Sequence, residues 1–395
     1  MTLRAEQAGN QVFAGARIFD GQSWHDGKVL EVRGGEVAAL SAAAPAQAEN
    51  LRQLPEGSLI VPGFADLQVN GGGGVLFNND LTVSGIETIC RAHRQFGTTA
   101  LLVTLITDTP ENTRLAVAAG IEAAKKGVPG FAGLHLEGPH LSVARKGTHA
   151  PELIRPMTDE DLALMLAAVK ELPCLLVTLA PENATPDQVR KLVEAGVVVS
   201  LGHSDAGVSQ IRPFVEAGAS MVTHLFNAMS PLQHREPGLV GAALCYGELS
   251  CGLIADGYHV DPLAIQVALR AKQGPGRIFL VTDAMSSIGW EGDRFQLNGR
   301  EVFRRDGKLT LADGTLAGAD IDMLSCVRFM VDRIGLELEE VLKMAGTYPA
   351  DAARLSAIGR LSAGKRADFL VLNSDLTIHA SICGGQWLEH GKVSA

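Results

Sequence analysis

Residues 130–140 read GFAGLHLEGPH. An apolar run of strand length ends on a carboxylate, Glu137, and is cut off by Gly-Pro. Alternation along a strand puts His135 and Glu137 on one face and Leu134 and Leu136 on the other. Seven further runs share this form: LIVPGFADLQV (59–69), TTALLVTLIT (98–107), CLLVTLA (174–180), VVVSLGH (197–203), ASMVTHLF (219–226), SCGLIAD (250–256) and RIFLVTDA (277–284). Segments of helical period lie between them, among them SGIETICRAHRQFG (84–97), ENTRLAVAAGIEAAKKG (111–127) and DEDLALMLAAVKEL (159–172). Eight strand–helix repeats predict a parallel (β/α)₈ TIM barrel, whose functional residues should sit where the strands end.

The two ends of the chain read differently. Residues 11–62 and the tail GKRADFLVLNSDLTIHASICGGQWLEH (364–390) carry short alternating runs broken by Gly-Gly and Asp-Gly, the pattern of small antiparallel strands. These ends are expected to join in one small β domain.

Composition narrows the function. A chain of 395 residues with 46% hydrophobic and 20% charged side chains is globular and long enough for a large core. Thirty-four basic against 44 acidic residues give a net charge of -10, with no Lys/Arg block, so no nucleic-acid partner is expected. An anionic small molecule would need a few local donors to offset that field. The first twenty residues hold no apolar core of signal-peptide length, and no apolar stretch has the roughly 18 to 20 residues of a membrane span. A cytoplasmic protein without membrane association is expected. The six cysteines form no CxxC pair and read as reduced thiols.

The ionisable residues fall at the predicted strand ends: Gln68 and Asn70 after the first, Glu137 after the third, His203 after the fifth, His224 after the sixth and Asp283 after the eighth. Each has an ordinary explanation alone. A histidine after an apolar strand is often a hydrogen-bonded core residue, and an aspartate there is often a helix N-cap. A barrel, however, brings all of them to one mouth. One carboxylate and two imidazoles make a three-ligand set with an open coordination position, suited to a catalytic zinc-like ion. Asp283 is then the candidate proton shuttle between water and a leaving nitrogen.

The motifs IVPGFADLQVNG (60–71), HLEGPHLSVARKGTH (135–149), LGHSDA (201–206), THLFNAM (223–229), REPGLVGA (235–242), ADGYHV (255–260), VTDAM (281–285) and GKRADFLVLN (364–373) resemble, in order and spacing, the N-acetylglucosamine-6-phosphate deacetylase family of the amidohydrolase superfamily. The resemblance covers nearly the whole chain. It implies a catalytic barrel over residues 63–356 and a β-sandwich built from residues 1–62 and 357–395. The implied reaction is hydrolysis of the N-acetyl group of N-acetylglucosamine 6-phosphate, in amino-sugar catabolism or cell-wall recycling. It further implies that Glu137, His203 and His224 bind one divalent metal per subunit, zinc first with iron, cobalt or manganese as alternatives, and that Asp283 is general base and acid. His149 and His259 would contact the substrate, and Asn227, Ala228 and Arg235 its phosphate. A homodimer is implied, with the Arg235 loop near the interface.

Several positions depart from the wider superfamily pattern. Gln68 and Asn70 stand where most members have His-x-His, and Thr178 to Ala180 stand where many have a bridging modified lysine, so a mononuclear site is expected. In LAGAD (316–320), Ala319 replaces the usual serine and Asp320 adds a charge beside an expected substrate loop. The Gly71–Gly74 run lacks the Lys-Ser/Thr of a nucleotide loop and reads as a flexible strand-to-helix connection. His25, His93, His379 and His390 receive no role. Two other functions stay open: an amidohydrolase acting on another N-acyl amide, and a non-catalytic scaffold on the same fold.

Overall fold

The computed structural model describes residues 10–42, 50–297 and 299–389. Eight parallel strands form one sheet in sequential order: β1 (Phe64–Val69), β2 (Thr98–Ile106), β3 (Phe131–Glu137), β4 (Leu175–Leu179), β5 (Val198–Leu201), β6 (Met221–Val222), β7 (Ser250–Ile254) and β8 (Ile278–Val281). A helix follows each strand: α1 (Val83–Arg94), α2 (Pro110–Lys126), α3 (Asp159–Ala168), α4 (Pro186–Glu194), α5 (Val208–Glu216), α6 (Gly238–Cys245), α7 (Pro262–Ala271) and α8 (Met323–Phe329). Threonine caps start α1 to α4, with reciprocal capping boxes at Thr158/Asp161 and Thr185/Gln188.

The sheet closes on itself between β8 and β1. Asp283 N–H donates to the Gln68 carbonyl at 3.0 Å, and Asn70 N–H to the Ala284 carbonyl at 2.9 Å. Asp66 reinforces the seam, its Oδ2 accepting from the Thr282 hydroxyl at 2.5 Å and its Oδ1 from Thr282 N–H and Gln68 N–H at 3.2 Å. Inside the barrel, Ala65, Leu67, Ala100, Leu102, Leu176, Val198, Met221 and Phe279 form the apolar floor. Two residues further along the same strand faces the lining turns polar. Thr104, His135, Thr178, Thr223 and Ser200 form a hydrogen-bonded layer, with contacts of 2.6 to 3.1 Å. The strand ends lie above that layer.

The run expected as one strand over 59–69 is in fact two. Leu59–Pro62 pairs with Phe369–Leu372 and Arg17–Phe19 in a terminal sheet, and Phe64–Val69 enters the barrel. Gly63 makes the transfer, because a Cβ there would lie 2.0 Å from Thr99 Oγ1. The terminal sheets have six and four strands, and both contain strands from the N-terminal region; the six-stranded one takes Phe369–Leu372, Ile378–Cys383 and Gln386–Glu389 from the tail. Phe13, Ile18, Leu30, Ile60, Phe369 and Trp387 of both sheets pack into one core, which is a β-sandwich.

Two further differences concern loops. Gly71–Gly72 and Val75–Leu76 form a small antiparallel ladder, with Gly73 and Gly74 turning at φ 64° and 83°, so this segment is a hairpin and not an open connection. Between β8 and α8 the chain inserts a four-stranded meander, Arg294–Leu297, Arg300–Arg305, Lys308–Thr310 and Leu316–Ala319, which strand–helix alternation does not predict. It is tied to three barrel loops: Asn79 Nδ2 to the Gln296 carbonyl at 3.0 Å, Arg300 to the Thr148 carbonyl, and the Tyr258 hydroxyl to the Asp306 carbonyl at 3.3 Å. The cysteines are free, five of them buried, and His390 lies outside the described residues. Among the described residues no helix is long and apolar enough to cross a membrane.

Burial raises the Asp66 carboxyl to about 7, against the opposing hydrogen bonds from Thr282 and Gln68. A folded-state value above the unfolded one means that the native protein keeps a proton which the unfolded chain releases. The associated stability is complete below about pH 4 and is lost as pH climbs toward 7, at up to about 1.4 kcal/mol per pH unit. Asp66→Asn keeps the shape without the titration. Its thermal midpoint relative to the parent should therefore improve between pH 5 and pH 8; a pH-independent difference would show that Asp66 stays ionised in the fold.

Candidate active site

The ends of β3, β5, β6 and β8 bring four separated residues together. Glu137 ends β3 directly, whereas His203, His224 and Asp283 each lie two residues past a regular strand in left-handed backbone, with φ of 47°, 26° and 51°. Phe226 and Ala228 follow at 78° and 50°. Non-glycine residues in this region cost on the order of 1 kcal/mol or more each. That strain is spent on turning side chains out of the strand direction and over the barrel axis.

Glu137 Oε1 lies 3.2 Å from both His203 Nε2 and His224 Nε2, which are 3.1 Å from each other. All three side chains are 5% exposed or less. His203 Nδ1 donates to the Arg145 carbonyl at 2.9 Å, which leaves the Nε2 lone pair facing the group. Burial opposes charge on Glu137, but the close approach of His203 and His224 together outweighs that and holds the carboxyl well below its usual range. For His224, burial favours the neutral ring, and the Glu137 hydrogen bond and charge raise it overall. Three electron-rich atoms this close repel one another unless a cation or proton lies among them. Their spacing is near the roughly 3.3 Å edge of a tetrahedron with 2.0–2.1 Å bonds. The donor set fits a divalent metal.

A wider grouping of Glu137, His149 and His203 has ligand atoms within 4.8 Å of one another. His149 is the weaker candidate, since its Nδ1 is engaged by the Thr107 hydroxyl at 2.8 Å and by Thr107 N–H at 3.3 Å. The N–H contact makes Nδ1 an acceptor and puts the ring proton on Nε2, as a donor. Burial, followed by the neighbouring His203, keeps His149 neutral, well below the ordinary histidine value.

Asp283 sits across from the three. Its Oδ1 accepts from Asn70 Nδ2 at 2.7 Å and Gln68 Nε2 at 3.1 Å, and Gln68 Nε2 also reaches both Glu137 oxygens at 3.1 and 3.2 Å. Burial first, then the Glu137 charge, raises the Asp283 carboxyl to about 6. The helix-cap explanation does not apply, because α8 is capped by Asp322.

One cavity contains Asn70, Glu137, His149, His203, His224, Asn227, Ala228, His259 and Asp283 in its wall. Gln68 lies beneath it. Arg235 is not in this wall: it stands on the exposed loop between β6 and α6, and among the described residues it forms no ion pair. Asp320 does not present a free charge to the cavity either. Arg304 Nε pairs with it at 2.7 Å and the Ser287 hydroxyl donates to it at 2.8 Å, and its side chain is 5% exposed. His25 pairs with Asp20 at 2.7 Å in the terminal sheet region, and His93 binds the Gly71 carbonyl at 2.8 Å behind the hairpin.

Sequence reasoning missed Asp256, Thr107 and the apolar part of the wall. Asp256 Oδ2 accepts from His259 Nδ1 at 2.6 Å and orients that ring. Burial opposes its ionisation, but the His259 hydrogen bond and charge, with the backbone N–H donors of His259 and Tyr258, together outweigh burial and lower its pKa. The spacing Asp-x-x-His in ADGYHV carries that signal. Nothing comparable marks Thr107.

The amidohydrolase family model matches residues 59–388. An N-acetylgalactosamine-6-phosphate deacetylase of Shewanella sp. (strain ANA-3) is 40% identical, covering 96% of each chain. The Homo sapiens N-acetylglucosamine-6-phosphate deacetylase is 36% identical over 84% of this chain and 83% of its own. Among solved structures, the N-acetylglucosamine-6-phosphate deacetylase of Pasteurella multocida is 35% identical with a TM-score of 0.92, covering 96% of this chain and 100% of that one. The chain belongs to the amidohydrolase family and, within it, groups with the amino-sugar 6-phosphate deacetylases.

Proposed function

We propose that this protein is a metal-dependent deacetylase that hydrolyses N-acetylglucosamine 6-phosphate to glucosamine 6-phosphate and acetate in amino-sugar metabolism. The observation that carries the chemistry is the buried cluster of Glu137, His203 and His224 facing Asp283. The family relationship supports the substrate class. A divalent metal held by Glu137, His203 and His224 would polarise the acetamide carbonyl and acidify the attacking water. Zinc suits one carboxylate and two imidazoles, and iron, cobalt and manganese are the alternatives. Gln68 and Asn70 supply amides where a second ion would need imidazoles, which favours a single metal.

The chain's own groups perform the proton transfers. With Oδ1 held by Asn70 and Gln68, Asp283 uses its other oxygen to take a proton from water as the oxygen attacks the carbonyl carbon. It then gives a proton to the nitrogen as the C–N bond breaks. A carboxyl raised to about 6 serves both steps near neutral pH. His149 donates toward the carbonyl oxygen, and His259, oriented by Asp256, meets the sugar hydroxyls. Asn227 and the backbone at Ala228 face the phosphate end. Arg235, exposed and outside its own chain's cavity, serves the phosphate of a neighbouring subunit's substrate in a homodimer. A cytoplasmic location and the division into residues 63–356 and 1–62 with 357–395 belong to the same proposal.

The galactosamine epimer is the second reading, favoured by the 40% identity to the Shewanella protein. The deciding assay is acetate release from both N-acetylhexosamine 6-phosphates beside unphosphorylated N-acetylglucosamine. Release from the phosphates alone is expected, with Arg235→Ala raising KM for them; equal release without phosphate would redirect the substrate to another N-acyl amide. Asp283→Asn should keep its metal and lose roughly 10² to 10⁴-fold in kcat, and a normal rate would assign the proton transfers to another group. His203→Ala should lose bound metal, measured by elemental analysis, together with activity. A metal-replete and active variant would mean that His149 and not His203 completes the ligand set.

A further inference from the structure

The cavity has two chemically different walls. Toward β5, β6 and β7 it presents His203, His224, Asn227, the backbone at Ala228, and His259; toward β8 and β2 it presents Ile106, Met285 and Leu316 beside Asn70 and Asp283. The apolar trio comes from three places: Ile106 ends β2, Met285 follows Asp283 by two residues, and Leu316 opens the last strand of the inserted meander. Ile106 and Met285 pack in one cluster with Leu297, Val302, Leu309 and Leu311 of the meander, so the insert's hydrophobic underside supports this wall.

The apolar wall lies at the reacting end. Ala319 N–H, three residues after Leu316, donates to the Asp283 carbonyl at 3.0 Å. Ile106 adjoins Thr107, which holds His149 at 2.8 Å. At Gly318, which also lines the cavity, a Cβ would fall 2.5 Å from Met285 Cγ, so the wall is closely packed there. The scissile carbonyl must lie between Asp283 and the Glu137, His203 and His224 cluster. Its two substituents, the nitrogen and the acyl carbon, then diverge from it. The sugar, with its hydroxyls and phosphate, belongs against the polar wall, and the acyl carbon chain against the apolar one.

Resting on the deacetylase reading, we infer that Ile106, Met285 and Leu316 form an acyl pocket that receives the acetyl methyl and sets the length of acyl group the enzyme accepts. The meander is thereby a specificity element, pinned by the Arg304, Asp320 and Ser287 contacts. The test compares N-acetyl, N-propionyl and N-butyryl glucosamine 6-phosphate, and the corresponding galactosamine compounds, by kcat/KM. The parent should favour acetyl over butyryl by roughly 10-fold or more, and Leu316→Ala should narrow that ratio by roughly 10-fold. Leu316 is partly exposed, so Leu316→Ala opens no fully buried cavity; Met285→Ala serves as the second variant. A parent that hydrolyses acetyl and butyryl compounds equally, or variants that slow all acyl groups in proportion, would overturn the acyl pocket. Hydrolysis of none of them by the metal-loaded parent would instead overturn the deacetylase reading.

Discussion

Three lone-pair donors held 3.1 to 3.2 Å apart in a buried site dominate this molecule. Left alone, Glu137, His203 and His224 would rotate apart, so the surrounding fold has to hold them there. It does so with backbone, since His203 and His224 occupy left-handed conformations, and with hydrogen bonds, since Arg145 fixes one ring and Gln68 spans Glu137 and Asp283. Strain of this kind persists only where the rest of the structure over-determines it. Here the closed sheet and the hydroxyl layer beneath the site provide that excess of constraint.

Closure of the barrel and assembly of the site are one event. The hydrogen bonds that join β8 to β1 run through Gln68, Asn70, Asp283 and Ala284, which are the active-site residues or their neighbours. Asp66 sits one layer below and locks the same seam through Thr282. A seam that opened would release Asp283 from its two amide donors. The position of Asp283 is therefore tied to the overall topology of the barrel.

The inserted meander adds what the barrel lacks. Eight strand ends converge on charged and hydrogen-bonding groups, but an N-acyl sugar also has an apolar end. Leu316 and the cluster behind Met285 supply that surface from outside the strand–helix repeat. Asp320 illustrates how context changes a residue's meaning: an acidic departure in the sequence is, in the fold, a paired anchor between Arg304 and Ser287.

The eight strands, their order and the convergence of Glu137, His203, His224 and Asp283 were legible in the sequence, because period-two apolar runs and strand-end polar residues are local signals and a closed parallel barrel has one mouth. The β character of the termini was legible for the same reason. The break at Gly63 was not, since it depends on Thr99 occupying the space of a Cβ from another strand. The meander escaped because its strands are short and charged, although the Asp-Gly turns at 306–307 and 313–314 in GREVFRRDGKLTLADGTLAG were visible. Which histidine nitrogen faces the cluster, how Asp283 is held, and that Arg235 lies outside its own chain's cavity were decided only in three dimensions. Local periodicity specifies elements and their faces, whereas tautomers, hydrogen-bond partners and cavity walls depend on atoms brought together from distant parts of the chain.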